Sequence, residues 1–219
     1  LMERVEKIFD IEKVTKRFYD RFQKEHTIFM YSIQGMEERD EQSTDQRAWY
    51  TSIILNRLMF LYFLQKQGLL ATTSPALHDG DTQYLRTRLH MIQQMNIPKN
   101  ACYRHFLLPL FHHTARTPAM EHLWGNMPHL HQHLFSVHTL EQRTIEIPDA
   151  AFERIFTFFD EFQWILEQRP LCDEREVNPD VLGYVFEKHI NQQQMGAYYT
   201  QDDVTAYIAR NSILPALFD

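Results

Sequence analysis

Residues 48–64 read AWYTSIILNRLMFLYFL, the most apolar stretch of the chain. Its length approaches the roughly twenty residues that a transmembrane helix needs. Two residues decide against that reading, because Asn56 and Arg57 sit at its middle. A charge at the bilayer centre costs about 3 kcal/mol even on a permissive insertion scale. The stretch is therefore expected to be the central buried helix of a bundle, apolar nearly all round. Gly68 supplies its C-terminal stop, since glycine enters the left-handed region without a Cβ penalty. A guanidinium inside such a helix requires a carboxylate, because a lone buried charge is too costly to keep. Arg57 is thus expected to meet an acidic partner from elsewhere in the chain.

Amphipathic helices are expected on both sides. Val5, Ile8 and Phe9, then Ile11, Val14, Phe18 and Phe22, recur at helical spacing and mark one or two helices across residues 3–31. Asp10 is a candidate cap for a restart. Gly35 ends this segment, and residues 37–45 read as a polar acidic loop. Asp81 is placed as the cap of a further helix faced by Tyr84, Leu85, Leu89, Ile92 and Met95, and broken by Asn96 and Pro98. Tyr103, Phe106, Leu107, Leu110 and Phe111 mark another, which Pro109 must kink or confine because it has no N–H to donate. Pro148 and Asp149 open a helix faced by Phe152, Ile155, Phe156 and Phe159. Residues 145–147 and 164–166 read as short extended pieces, expected to pair with each other. With six glycines in 219 residues, tight turns are too scarce for an all-β fold. The fold class is mostly α: an irregular helical bundle with at most a small two-stranded element.

The formal net charge is −7, so the chain as a whole is not an electrostatic clamp for DNA. Lys13, Lys16, Arg17, Arg21 and Lys24 lie close together but are interleaved with Glu12, Asp20 and Glu25. They read as a solvated helix face, with a DNA-backbone contact as the alternative. Cys102 and Cys172 are far apart and outside any Cys-x-x-Cys, which points to the reducing cytosol and away from structural zinc. Residues 112–138 hold His112, His113, His122, His129, His131, His133 and His138. His131-x-His133 could offer two zinc ligands from an extended segment, but no cysteine or acidic motif completes the set. Fortuitous metal binding in a preparation is expected before a native site, and no metal ligand is assigned.

The last forty or so residues carry the most chemistry: residues 178–218 read NPDVLGYVFEKHINQQQMGAYYTQDDVTAYIARNSILPALF. Asn178 can cap a helix with Pro179 in its first turn, and Leu182, Val185, Phe186 and Ile190 follow at helical spacing. Thr200 can cap a second helix, with Asp202 and Asp203 at its positive end. Between them lies Met195-Gly196-Ala197-Tyr198-Tyr199-Thr200. Free N–H groups, a hydroxyl and two aromatic faces at a helix start suit a small ligand with a carboxylate and a ring. A capped helix whose tyrosines pack at a domain seam satisfies the same residues.

GAYYT followed by an amphipathic helix resembles the motif that opens the catalytic domain of gamma-class N6-adenine DNA methyltransferases. The longer string, residues 178–208, resembles large single-chain restriction-modification and phage-defence methyltransferases, of the type IIG and BREX kinds. Residues 55–66 resemble that family's helical N-terminal region. The resemblance implies that Gly196, Tyr198, Tyr199 and Thr200 face the methionine end of S-adenosylmethionine. It implies a helical N-terminal domain over residues 1–177. Residues 178–219 would then be a helical linker and the first motif of a catalytic domain that continues past Asp219. The implied partners are the rest of the methyltransferase polypeptide, double-stranded DNA and other defence-system subunits, with no membrane; the implied place is the cytoplasm. Two departures stand out. Gln201-Asp202-Asp203 replaces the family's Pro or Lys-Glu-Asp, and His131-Gln132-His133 replaces an Asn-Gly-Gly turn in residues 124–135. The family holds its target amine with an Asn/Asp-Pro-Pro-aromatic loop, which Asn178-Pro179-Asp180 is not. No catalytic residue is therefore assigned. The rival readings are a non-enzymatic helical interaction module and a metal-dependent protein built on the histidines.

Overall fold

The computed structural model describes residues 2–36, 41–73, 79–95, 100–112, 124–125, 134–142, 145–166 and 173–188, with 2–12, 41–43 and 142 described by backbone alone. The chain divides into two compact units, Leu1–Leu182 and Gly183–Asp219. The first holds α1 (Met2–Ser32), α2 (Glu41–Lys66), α3 (Tyr84–Gln94), a π-helical turn Cys102–Leu107 running into α4 (Leu108–His112), a short 3-10 turn Thr139–Gln142, and α5 (Asp149–Asp160). Strands β1 (Gln163–Trp164) and β2 (Glu176–Val177) follow, and then α6 (Pro179–Phe186), which runs across the division. The fold is mostly α with a small two-stranded element, as the helical spacing requires.

The α2 helix is the core element. Tyr50, Ile54, Leu55, Leu58, Met59, Leu61 and Tyr62 are all at most 1% exposed, which a one-faced helix could not achieve. No described helix is long and apolar enough to cross a membrane. The helix starts at Glu41, inside the stretch expected to be a loop. Arg47 helps fix this start by donating to Met36 O at 3.0 Å. Its end is the glycine stop: Gly68 has φ +66°, and Leu69 N donates back to Leu64 O at 3.1 Å. Gly80 then returns the chain against this end, its N donating to Gly68 O at 2.9 Å. A Cβ on Gly80 would lie 2.2 Å from Leu70 O, so only glycine fits.

Around α2 the aromatic side chains close the core. Phe18 of α1 meets Phe158 and Phe162 at 5.3 and 4.9 Å between ring centroids, and Phe29 meets Phe152 at 5.5 Å. Val14, Phe18 and Phe22 of the face expected for α1 are buried, as is the face expected for α5, and α1 is one uninterrupted helix, so Asp10 starts nothing. Burying one such phenylalanine stabilises the fold by about 1.5–3 kcal/mol.

Three local expectations are corrected by tertiary contacts. Asp81 does not cap α3. It makes a turn before it, accepting from Gln83 N at 2.8 Å, while the buried Gln65 side chain of α2 accepts from Leu85 N at 2.9 Å. Met95 is 41% exposed and lies off the α3 core face, because the helix has already ended. The extended pieces do not pair with each other. Residue 146 bridges Gln34 in antiparallel fashion, while Trp164 pairs in parallel with Val177. Pro109 acts as expected but through a particular device. The turn before it is π-helical, with Leu108 N donating to Tyr103 O, which widens the helix where a regular turn would meet the proline ring.

Candidate functional site

The start of the helix that precedes the GAYYT stretch in sequence is built as expected. Asn178 is buried, and its Oδ1 accepts from Val181 N at 3.0 Å, which is the expected N-cap bond. Pro179 occupies the first helical position, and Val181, Leu182 and Val185 are buried. Beyond the division, Lys188 Nζ stacks over the Tyr184 ring at 5.7 Å. Gly196, Tyr198, Tyr199 and Thr200 lie outside the described residues, as does the helix expected after them.

Of the imidazole-rich segment, His112 and His138 are among the described residues. His113, His122, His129, His131 and His133 lie outside the described residues. His112 and His138 converge on Glu141, which is also the carboxylate that Arg57 requires. Arg57 Nη1 donates to Glu141 Oε1 at 2.6 Å, and both side chains are 2% exposed. Its other nitrogens donate to Leu134 O at 2.9 Å and Ser136 O at 2.6 Å, and the guanidinium lies 5.0 Å from the centre of the Phe111 ring. Tyr50 Oη donates to Glu141 Oε1 at 3.4 Å and is hydrogen-bonded to Tyr103 Oη. Glu141 Oε2 accepts from His138 N at 2.7 Å. His112 Nε2 approaches Oε2 to 3.0 Å but without hydrogen-bond alignment, so the contact is one of proximity.

Burial pushes both imidazoles below their ordinary value of 6.5, against the pull of Glu141 and helped by Arg57. Nδ1 of His138 accepts from Leu140 N at 3.2 Å, which requires that nitrogen to be unprotonated. Burial raises the Tyr103 phenol to about 12, and raises Tyr50 further. The charges reduce to one cation and one anion in mutual contact. Such a set can pin residues 134–142 onto α2. Among the described residues, no group of three or more His, Cys, Asp or Glu is placed to hold a metal ion. One clue to Glu141 was available. His138-x-x-Glu141 has the spacing of a capping box, with histidine in place of serine or threonine.

Two further carboxylates organise the first unit, and neither was singled out beforehand. Glu25 has a fully buried side chain and receives Arg154 Nε at 2.5 Å and Nη2 at 3.0 Å, together with Arg21 Nη1. Asp160 accepts from Tyr62 Oη, from Arg86 Nη2 at 2.8 Å and from Lys66 Nζ at 3.3 Å. Burial alone would raise the Asp160 carboxyl. The Tyr62 and Arg86 hydrogen bonds, with Lys66 nearby, hold it below its ordinary value. A cavity of about 460 Å³ opens along α1, lined by Lys13, Lys16, Arg17, Asp20, Arg21, Lys24, Glu161 and Phe162.

No protein-family model matches the chain, and no solved structure matches it. Over 95% of its length it is 26% identical to a protein of Methanocaldococcus jannaschii (strain ATCC 43067) that carries the name of a type II restriction enzyme and methyltransferase. The alignment spans 20% of that relative. The chain is thus a distant relative of a restriction-modification protein and corresponds to a fifth of its length.

Proposed function

We propose that this chain is the helical front portion of an adenine-specific DNA methyltransferase of a restriction-modification or phage-defence system. In this reading residues 1–177 scaffold the catalytic domain, and Gly196, Tyr198, Tyr199 and Thr200 form one edge of the S-adenosylmethionine site. The observation that carries the reading is the similarity to the archaeal protein across 95% of the chain, so that the relationship reaches well beyond the GAYYT string. The cap at Asn178 supports it too, since that bond sets the start of the helix from which the chain runs toward the turn. S-adenosylmethionine supplies the methyl group to the exocyclic amine of an adenine. The chain's own residues would position it: Gly196 lets the backbone come close, Tyr198 and Tyr199 present ring faces, and the N–H groups after Thr200 face a carboxylate.

The test is Tyr199→Ala in the full-length polypeptide, read by calorimetric titration with S-adenosylmethionine. Weaker binding with an unchanged circular-dichroism spectrum is expected. Unchanged affinity would remove Tyr199 from the cofactor site.

A further inference from the structure

The cavity along α1 has a composition at odds with the chain that carries it. The chain has a net charge of −7, yet the lining holds five cations against two acids, Asp20 and Glu161. Helix geometry spreads Lys13 to Lys24 over about 16 Å, at about 1.5 Å per residue. Duplex DNA presents one phosphate charge about every 1.7 Å of its axis, so a ridge of this length spans several phosphates.

The cations fall into three kinds. Arg21 is committed, because it braces the buried Glu25 and also holds Glu161 at 3.0 Å. Lys13 and Arg17 are loosely engaged. Both reach the same carboxylate, Glu174, with Arg17 at 3.3 Å, and the three side chains are 50–65% exposed. Exposed pairs of this kind are weak in water and exchange readily for another anion. Lys16 and Lys24 have no ion-pair partner among the described residues and stand two helical turns apart.

We propose that this ridge of α1 is a surface that tracks the DNA phosphate backbone, and that Glu174 occupies it until a phosphate displaces the carboxylate. The proposal rests on the methyltransferase reading for the presence of DNA. It adds where the duplex is gripped and by which side chains. The contact would be independent of base sequence, because lysines aimed at phosphates read charge and not base edges. Glu174 gives the surface an opposing anion, so the acid and the bases predict effects of opposite sign.

The experiment measures binding of a fluorescent DNA duplex to the full-length protein across a range of NaCl concentrations. Lys16→Ala with Lys24→Ala should weaken binding uniformly across duplex sequences and lower the salt slope by about two, one for each lost phosphate contact. Glu174→Gln should do the reverse, raising affinity a few-fold and steepening the slope as Lys13 and Arg17 are released. Thermal unfolding followed by circular dichroism checks that the helices persist, which alanine on an exposed helix face favours. If the wild type binds duplex but ignores the lysine substitutions, or if Glu174→Gln fails to tighten binding, the surface is wrong and the methyltransferase reading stands. If the wild type binds no duplex at all, both fail together.

Discussion

Two ion-pair regions of this molecule use the same chemistry to opposite ends. Arg57 and Glu141 meet inside the bundle, each 2% exposed, with Leu134 O and Ser136 O taking the other guanidinium nitrogens. Lys13, Arg17 and Glu174 meet at the surface, 50–65% exposed. Inside, desolvation has already been suffered by both charges, so neither can do without the other. Outside, water offers each group a partner nearly as good. The interior pair can therefore hold structure but not respond to a ligand, whereas the surface set can trade partners. Burial separates a structural carboxylate from one available for exchange.

The strongest way to break this contrast is to remove one member of the inner pair. Arg57→Met leaves Glu141 buried and uncompensated and should cost about 3–5 kcal/mol in urea unfolding. Replacing both, as Arg57→Met with Glu141→Leu, should recover much of that loss, since two apolar groups need no partner. A double variant as unstable as the single one would mean that the pair itself, and not the stranded charge, carries the stability. A smaller effect is expected at the join of α2 and α3. Gln65→Ala leaves the Leu85 N–H buried without an acceptor, at a cost of about 1–3 kcal/mol by the same measurement.

The pH dependence sharpens the picture of the interior. His112 and His138 have folded-state pKa values below their ordinary 6.5, so the unfolded chain takes up their protons first. Stability from these residues is complete above 6.5 and falls as pH drops through the lowered values. Urea midpoints followed from neutrality to about pH 5 should show this decline, and His112→Gln with His138→Asn should flatten it. Asp160 behaves alike at more acid pH. Its lowered carboxyl contributes above 3.8 and is lost below that. The smallest effect is predicted at the surface: Glu174→Gln should leave the urea midpoint unchanged. A clear loss of stability there would erase the difference between the two regions.

Much of the fold was legible because its signals are local and repeated. The buried faces of α1 and α5, the glycine stop at Gly68, the Asn178 cap and the disturbance at Pro109 all follow from spacing or from one residue's backbone chemistry. Even the need for a carboxylate at Arg57 was readable, because it depends only on one charge in an apolar stretch. What escaped were the partners. Glu141 lies 84 residues from Arg57, and nothing near either residue names the other. The extended pieces were seen, but each paired elsewhere, since pairing depends on which edges the helices leave open. Asp81 lost α3 to Gln65 for the same reason: a side chain packed from α2 reached the free N–H groups first. Of the site, the approach helix and its cap were readable and are seen. The GAYYT residues themselves lie beyond the described part of the chain.

Periodicity, caps and breakers, which act over a few neighbouring residues, were enough to specify a helical bundle around residues 48–64, while the methyltransferase-like C-terminal motif was legible only as a resemblance to a known family. Packing alone settled which carboxylate meets Arg57, why burial lowers the pKa of two histidines beside it, and which cations of α1 are tied to a buried carboxylate and which lie exposed. Those outcomes depend on distance and burial between residues far apart in the chain, and both exist only once the chain has folded.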